Sequence, residues 1–510
     1  MIFVFLLVIL FLIFIFQFFK SNLYIDFSDG AKFSIIARNL IEKGYYSTTF
    51  SFWGSKFFTT SGIPILIPYL MSLFMKIFGI NDLAVIMFSF TFYVLLALFV
   101  FLLGRKVFNP LVGFLSALAV LFNLNFIDYA TSGASEPLFA FEIILATHLL
   151  VLRKKWATLM SFFVMGLMYF SRPQGFIFIA GLVFLWLLLR FNIKKALVYF
   201  FGLGIIGLFF DKFVIYPLSF KIPVTPIFMR GLQSILTYSS FNAVSDGLRG
   251  GASSTLTVVE VVKKVFYNLY NFYKALPEIA NPYILGFFFI GLFASGKDKL
   301  QNSFKISVIF MTLITFLVTA LTIPFYRYLH PVIPLVYILG IATLVEIVSK
   351  LISAKYVKLI SLVLIFVFCI GQTLGVLFLD SRFKAKTVNK DKPPVYAVLS
   401  YKLKEITKPT DVIVTNLDTW GSWYGDRKTI WFPLEPAMII PVEDKIDAIY
   451  LTNYLIDDEN YYMGENWREI FNNPKNQTIL KNYIYVGSYD FTAEDNYQRQ
   501  DAKAILLIKK

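Results

Sequence analysis

Residues 1–46 read MIFVFLLVILFLIFIFQFFKSNLYIDFSDGAKFSIIARNLIEKGYY, a long apolar run followed by acidic residues and an amphipathic segment. Its first 19 residues carry no charge and are apolar enough to cross the roughly 30 Å hydrocarbon core of a bilayer as one helix. They lack a basic start and a small-residue cleavage site, so they predict a retained membrane helix rather than a signal peptide. Asp26 and Asp29 follow, ahead of apolar residues at helical spacing. The sequence therefore predicts two carboxylates at a membrane surface.

The composition of the whole chain indicates a protein that crosses the membrane many times. Of its 510 residues, 57% are hydrophobic and 15% are charged, whereas soluble domains carry about 25% charged residues. The net charge of +15 lies entirely in the first 380 residues, because the rest has 18 basic and 18 acidic side chains. We interpret this excess as a signal of membrane topology and expect no nucleic-acid partner. The lone Cys369 excludes an intrachain disulfide.

Hydrophobic runs predict about eleven transmembrane helices. They lie near residues 1–19, 83–103, 109–125, 137–152, 157–171, 175–190, 196–213, 283–295, 306–324, 328–348 and 358–379. The links between alternate runs are short and hold 14 basic residues against two acidic ones. Short links rich in Lys and Arg stay in the cytoplasm, so the sequence predicts a multi-pass protein of the cell membrane.

The long segments fall on the opposite, extracytoplasmic side. They are the outer loops 20–82 and 214–282 and the tail after residue 380. We therefore expect a mainly α transmembrane domain over 1–380 and a soluble, extracytoplasmic α/β domain over 381–510. In the tail, the patterns predict one amphipathic helix and four strands, near 395–406, 411–415, 446–451, 482–488 and 503–508.

One run leaves the topology open. Residues 63–79, IPILIPYLMSLFMKIFG, are barely long enough to span and contain two prolines and Lys76. We interpret them as an interfacial helix in the outer headgroup layer. If they crossed the membrane instead, the loop that holds Asp29 would face the cytoplasm.

Several ionisable groups reach the predicted outer surface from different spans. Such groups are costly near a bilayer and usually face a cavity or one another. The candidates for a site are Asp26, Asp29, Glu136, Arg172, Arg327 and His330. Carboxylates and arginines that face one another at the same depth in the membrane indicate a site for an anionic, partly lipidic substrate.

Short motifs in the chain resemble the C-type (GT-C) integral-membrane glycosyltransferases. DGAKFSIIARNL, at 29–40, resembles the first-loop signature of that superfamily, an acid followed by an amphipathic helix. SEPLF, SRPQG and RYLHPVIP follow in the expected order, and the likeness is closest to the branch of protein mannosyltransferases and aminoarabinose transferases.

This resemblance implies a chemistry and residue roles. A sugar would move from a polyprenyl-phosphate carrier to a protein, lipid or glycan acceptor, with inversion, and Asp29 would be the general base. The superfamily often has Glu directly after this acid, where this chain has Gly30, so the second carboxylate would be Asp26 or Glu136. Arg172, Arg327 and His330 would hold the donor phosphate. The resemblance also implies that the first loop faces outward.

A divalent metal is possible, since one branch of the superfamily binds one, but the second outer loop lacks a D-x-D pattern. Other classes of function remain open. A transporter or lipid flippase would also carry charges at depth, although no half-repeat is visible, and a membrane scaffold would need no catalytic acid. Asp29 also stands where a helix N-cap belongs. Glu142, inside a predicted span, is interpreted as a protonated carboxyl bonded to a neighbouring helix, and NLDTWGSWYGDRKT (416–429) as a packed turn.

We predict that a cysteine in place of Tyr45 is labelled in intact cells by a maleimide that cannot cross the membrane. Eleven spans with an interfacial 63–79 segment put this residue outside the cell, beside Asp29 in the first loop. Cys369, in an apolar run, provides the unlabelled background. Protection of the introduced cysteine would place Asp29 in the cytoplasm and separate it from Glu136.

Overall fold

A computed structural model describes residues 24–60, 63–219, 226–251, 255–294, 296–371, 373, 389, 391–454 and 463–510. The predicted span at 1–19 lies outside the described residues. The principal α-helices, numbered α1 to α20 in chain order, are Ser28–Glu42, Leu66–Phe78, Asp82–Val107, Pro110–Leu121, Leu124–Thr131, Glu136–Val151, Lys155–Ser171, Gly175–Arg190, Ile193–Phe210, Ile227–Thr237, Phe241–Leu248, Val258–Lys274, Leu276–Ile279, Pro282–Gly291, Lys299–Leu321, Ile333–Leu351, Val357–Ile365, Val395–Ile406, Trp420–Trp423 and Glu465–Asn472.

Each apolar run predicted beyond residue 24 contains a helix, but most of these helices are short. Within the described residues, four are long and apolar enough to cross a membrane: Asp82–Val107, Ile193–Leu218, Lys299–Leu321 and Tyr326–Leu351. A fifth span results if α4 and α5, which are bent by 59° at the break between them, are counted as one. The structure thus supports a multi-pass membrane protein with four or five clear spans, and the number eleven stays a prediction.

The ambiguous segment 63–79 forms α2, which has 13 residues. At 1.5 Å per residue it extends about 20 Å, less than the hydrocarbon core of a bilayer. One face, with Ile67, Met71 and Met75, is buried, and the helix packs against α1 and α3. Its opposite face exposes Tyr69, Leu73 and Ile77. This one-sided burial and the short length favour the interfacial interpretation.

The tail contains the predicted helix as α18 and the four predicted strands. A mixed sheet is formed by six strands, β1 to β6, at Phe50–Ser51, Val412–Thr415, Lys428–Trp431, Ala448–Thr452, Tyr483–Phe491 and Ala502–Lys509. Their order is β1-β3-β2-β4-β6-β5. The first four strands in this order run parallel, and β6 pairs antiparallel with both β4 and β5.

The sheet is not made by the tail alone, because its edge strand β1 comes from the first loop. Phe50 and Ser51 lie opposite Thr429 and Ile430 of β3. The same hydrophobic core contains residues of α1, α2 and α3 together with tail residues from β2, β3 and β4. The described parts of the loop and the tail therefore form one folded unit.

A third long segment joins this unit. The backbone N–H of Leu434 donates to the carbonyl of Arg249 at 3.0 Å, and Gly54 N–H donates to Leu248 at 2.8 Å. The Arg249 guanidinium lies 3.9 Å from the centre of the Phe432 ring and donates to backbone carbonyls of the tail. Segments 24–60, 226–251 and 391–454 are consequently in contact with one another.

Candidate active site

Helix α1 brings the first candidate acid to the site. It begins at Ser28, with Phe27 as its extended N-cap residue and no side-chain capping bond. Asp29 therefore lies in the first turn, where the helix dipole favours a negative charge, and the N-cap interpretation of this residue is wrong. The side of α1 that carries Phe33, Ile36 and Ala37 is buried. Its packing fixes the position of Asp29.

Glu136, the first residue of α6, lies at the centre of the candidate site. Its side chain is 0% exposed, and its Oε1 accepts hydrogen bonds from Arg172 Nη1 and from Arg327 Nε. Arg172 follows the last residue of α7, and Arg327 lies in the 3₁₀ turn Tyr326–Val332 that leads into α16. Three separate helix ends thus converge on one buried carboxylate.

Arg327 also joins the two candidate acids. Its Nη2 donates to Asp29 Oδ2 at 3.0 Å while its Nε bonds Glu136. Lys32, one turn further along α1, places its Nζ 3.9 Å from Asp29 Oδ1. Asp29 differs from Glu136 in access, since 38% of its side chain is exposed. The cluster therefore has one open and one fully enclosed carboxylate.

Aromatic rings shield the arginines. The Arg327 guanidinium lies 4.7 Å from the centre of the Phe27 ring, and that of Arg172 lies 5.8 Å from the Tyr328 ring. Ser135 Oγ accepts a further hydrogen bond from Arg172 Nη1 at 3.3 Å. Rings stacked on guanidinium groups keep their planes oriented and exclude water from the ion pairs.

The charges in the cluster change the acidity of Asp29. Burial raises the pKa of its carboxyl, but the positive charges of Arg327 and Lys32 outweigh burial and hold that pKa below its ordinary value. Asp29 is consequently ionised at neutral pH. The sequence already contained the signal for Lys32, because residues three apart on a helix are neighbours, yet that residue was not among the predicted site residues.

The packing around Gly30 gives a reason why a glycine, and not a glutamate, follows Asp29 in this chain. A Cβ at this position would lie 2.9 Å from the carbonyl oxygen of Gly133. Gly133 itself has a φ of +78°, a conformation that strains residues with a side chain. The two glycines let α1 approach the turn before Glu136. A glutamate in place of Gly30 could not be accommodated without moving α1 away.

The other two predicted site residues have different surroundings. His330 is buried and its Nδ1 shares a hydrogen bond with the hydroxyl of Tyr129, whereas its Nε2 has no hydrogen-bond partner in the described part of the chain. Asp26 Oδ1 accepts a hydrogen bond from the hydroxyl of Tyr396, in the tail. The structure thus turns Asp26 towards α18, while His330 lies in the 3₁₀ turn that carries Arg327.

Segment 416–429, interpreted from the sequence as a packed turn, contains the short helix α19 and the start of β3, and it holds the backbone that leads into Asp29. Ile25 N–H donates to the Tyr424 hydroxyl at 2.8 Å, and Trp420 Nε1 donates to the Ile25 carbonyl at 3.1 Å. Ser28 Oγ donates to Asp418 Oδ2 at 2.8 Å. Asp418 is buried and has a φ of +56°, so the turn adopts a strained conformation to make this contact. Sequence patterns could not reveal these contacts, which join residues nearly 400 positions apart.

Glu142 behaves as predicted in its contact with a neighbouring helix. Its Oε1 accepts a hydrogen bond from Ser171 Oγ on α7 at 2.7 Å, and its Oε2 has no hydrogen-bond partner among the described residues. Ser171 directly precedes Arg172, so this bond fixes the end of α7 from which the arginine extends.

No group of three or more His, Cys, Asp or Glu side chains that could hold a metal ion is found in the described ranges. The charged atoms that converge here are two carboxylates, two guanidiniums and one ammonium. This set has one more positive than negative charge, which suits an incoming anion. Burying Glu136 and its two arginines costs desolvation free energy, so this arrangement contributes little to the stability of the fold.

Comparison with known proteins finds a family model that matches part of the chain and solved structures of similar fold. The family model of dolichyl-phosphate-mannose-protein mannosyltransferases matches residues 63–216. In solved structures, the chain is similar to an Archaeoglobus fulgidus oligosaccharyltransferase complexed with zinc and sulfate, at 14% identity and a TM-score of 0.54 over 93% of this chain and 68% of that one. No curated protein matches the sequence.

Two further structures have the same fold. ArnT from Cupriavidus metallidurans, bound to undecaprenyl phosphate, is 11% identical with a TM-score of 0.53 over 98% of this chain and 97% of its own. AglB from Archaeoglobus fulgidus, in complex with an inhibitory peptide and dolichol phosphate, is 13% identical with a TM-score of 0.50 over 92% and 69%. The resemblance to the C-type glycosyltransferases is confirmed as a likeness of fold.

We predict that Gly30→Ala destabilises the protein. The added methyl group would meet the Gly133 carbonyl at 2.9 Å, and overpacking of this kind typically costs about 1–3 kcal/mol. Thermal unfolding of the purified protein measures the effect. Gly166→Ala, on α7 with no atom near its Cβ, is the matched control and should be neutral or slightly stabilising. Equal melting temperatures for Gly30→Ala and the wild type would refute the close approach.

Proposed function

We propose that this chain, which has the fold of the C-type membrane glycosyltransferases, transfers a sugar from a polyprenyl-phosphate carrier to an acceptor hydroxyl. The observation that carries the proposal is the buried Glu136 between Arg172 and Arg327, with Asp29 on the same Arg327. The undecaprenyl phosphate bound by ArnT and the dolichol phosphate bound by AglB support the same class of donor. The sugar is a hexose or a pentose.

The arginines suit the leaving group of this reaction. Guanidinium groups pair with phosphate through parallel N–H···O bonds. Arg172 and Arg327 are already oriented by Glu136 and by aromatic rings, so little reorganisation is needed when the charge develops on the phosphate. Lys32 adds a third cation beside Asp29. His330, whose Nε2 has no hydrogen-bond partner among the described residues, is a further donor for a phosphate oxygen.

Asp29 is a better candidate for the base than Glu136. Glu136 is enclosed and shares one oxygen with two arginines, so its charge is neutralised and no acceptor can reach it without displacing them. Asp29 is partly exposed and meets Arg327 through a single hydrogen bond. A donor phosphate that draws Arg327 away would remove one of the three positive charges, those of Arg327, Lys32 and Arg172, that lower the pKa of Asp29. Donor binding would thereby strengthen the base.

The transfer step follows from these positions. The acceptor oxygen attacks the anomeric carbon while its proton passes to an Asp29 oxygen. The bond between the anomeric carbon and the phosphate oxygen breaks, and the polyprenyl phosphate leaves as an anion held by Arg172 and Arg327. Attack from the side opposite the leaving phosphate inverts the anomeric centre. Asp26, bonded to Tyr396, acts in this account by positioning the first loop rather than by catalysis.

We place the reaction on the extracytoplasmic face, in line with the basic links on the other side. A transporter or flippase is the rival function. The clustered charges join the ends of several helices rather than a break near the middle of one span, which favours transfer over transport. A membrane scaffold would not require an ionised, partly exposed acid such as Asp29 bonded to the buried Arg327.

We predict that Asp29→Asn lowers sugar transfer by at least about 100-fold, because general-base catalysis contributes typically 10²–10⁴-fold. The assay follows the release of polyprenyl phosphate from a panel of polyprenyl-phosphate-linked hexoses and pentoses by purified protein in nanodiscs. The thermal midpoint and the binding of undecaprenyl phosphate should be retained.

The control for this variant is Asp444→Asn, an exposed acid of the tail, which should keep wild-type activity. Wild-type transfer by Asp29→Asn would exclude Asp29 as the base. Absence of transfer by the wild-type protein with every donor, together with movement of intact donor across the bilayer, would favour the flippase.

We also predict how activity depends on pH. The pKa of Asp29 lies below its ordinary value, so its carboxylate persists at acidic pH and activity is lost only as the pH falls through that depressed pKa. Lys32→Gln removes one of the charges that lower this pKa. The acidic limb of kcat/KM, which reports the free enzyme, should therefore move to higher pH.

Lys43→Gln, at the far end of α1, is the matched control and should leave the limb unchanged. An acidic limb that stays in place or moves to lower pH in Lys32→Gln would contradict the proposed link between Lys32 and Asp29.

A further inference from the structure

A cavity of about 620 Å³ opens at the opposite end of the helices from the candidate active site. Its apolar walls include Phe288 of α14 and Leu339 and Val345 of α16. Glu346, also in the lining, lies 19 residues after Arg327 along the same continuous helix, which corresponds to about 30 Å. That distance is the thickness of a hydrocarbon core, so the cavity lies near the other membrane face.

The rim of this cavity is basic. Lys297, Lys305 and Lys358 line it, and they come from three different parts of the chain. Glu346, an acidic group of the lining, forms an ion pair with Lys350 at 2.7 Å and is thereby neutralised. The Lys305 ammonium donates to the carbonyls of Leu292, at 2.7 Å, and Ala294, beyond the end of α14. Lys297 and Lys358 are exposed at the mouth.

The cationic rim and the apolar walls together indicate a ligand that has an anionic group and an apolar part. The volume lies in the range of small-molecule sites, about 300–1,000 Å³, which accommodates a headgroup and the first part of its acyl chains. Basic pockets between transmembrane helices bind anionic lipid headgroups.

We propose that this cavity binds the headgroup of an anionic phospholipid from the leaflet on the face that carries the basic links, with Lys297 and Lys358 on the phosphate and the acyl chains along α14 and α16. This site is separate from the proposed transfer reaction and does not depend on it. A bound lipid there would fix the ends of α14, α16 and α17 against one another.

Native mass spectrometry of the full chain tests the proposal. After reconstitution in phosphatidylcholine with a minor fraction of phosphatidylglycerol, the wild-type protein should retain phosphatidylglycerol in preference to phosphatidylcholine. The double variant Lys297→Gln/Lys358→Gln should lose this retention by about tenfold or more. Lys194→Gln/Lys195→Gln is the matched control, because it removes the same charge from an exposed basic link of the same predicted face, outside the cavity. Equal losses in both variants would indicate general surface attraction and refute a site.

Two further outcomes separate the lipid from other occupants. Maleimide labelling of Ala354→Cys, in the cavity lining, should be slowed by phosphatidylglycerol, whereas labelling of Leu351→Cys, exposed and outside the lining, should not change. Displacement of the lipid by millimolar inorganic phosphate would identify a site for free anions and overturn the proposal. Complete protection of Ala354→Cys in phosphatidylcholine alone, with Leu351→Cys labelled, would mean that another segment of the chain fills the cavity.

Discussion

The burial of Glu136 between two arginines is the constraint on which the rest of the site depends. An ionised carboxylate with no exposed surface is stable only while Arg172 and Arg327 remain bonded to it. Those arginines lie at the ends of different helices, so the helix ends cannot separate without leaving a buried charge unpaired. Asp29 then shares Arg327 with Glu136, which ties the first loop to the same point. One ionic network thus positions groups from three regions of the chain.

Close packing around this network explains why the first loop and the tail form one unit. Gly30 and Gly133 remove the side chains that would hold α1 away from the turn before Glu136. From the other side, Trp420 and Tyr424 bond the backbone at Ile25. Segment 416–429 of the tail therefore fixes the position of the residues that lead into Asp29. We regard it as part of the site's support.

Most helices and strands could be predicted from local sequence patterns, whereas the contacts between distant segments could not. Long apolar runs located the helices because burial in lipid leaves few other options, and sequence patterns located four of the five tail strands but missed β3. The expectation that Asp29, Glu136 and Arg327 reach one site followed from membrane topology and a family resemblance, whereas their ion pairs are seen only in the structure. In contrast, the two-residue strand β1 carries almost no local signal and exists only through its partner β3. The contact of Asp26 with Tyr396 depends on a fold that joins distant segments.

A structure of the protein with undecaprenyl phosphate bound would show whether Arg172 and Arg327 hold the donor phosphate. We expect phosphate oxygens within hydrogen-bond distance of Arg172 and Arg327. Arg327 should be drawn away from Asp29, and Glu136 should remain buried between the two guanidiniums. Asp29 would then face the open side, where an acceptor hydroxyl can approach. A phosphate bound away from both arginines, with the bond between Arg327 and Asp29 intact, would contradict the account.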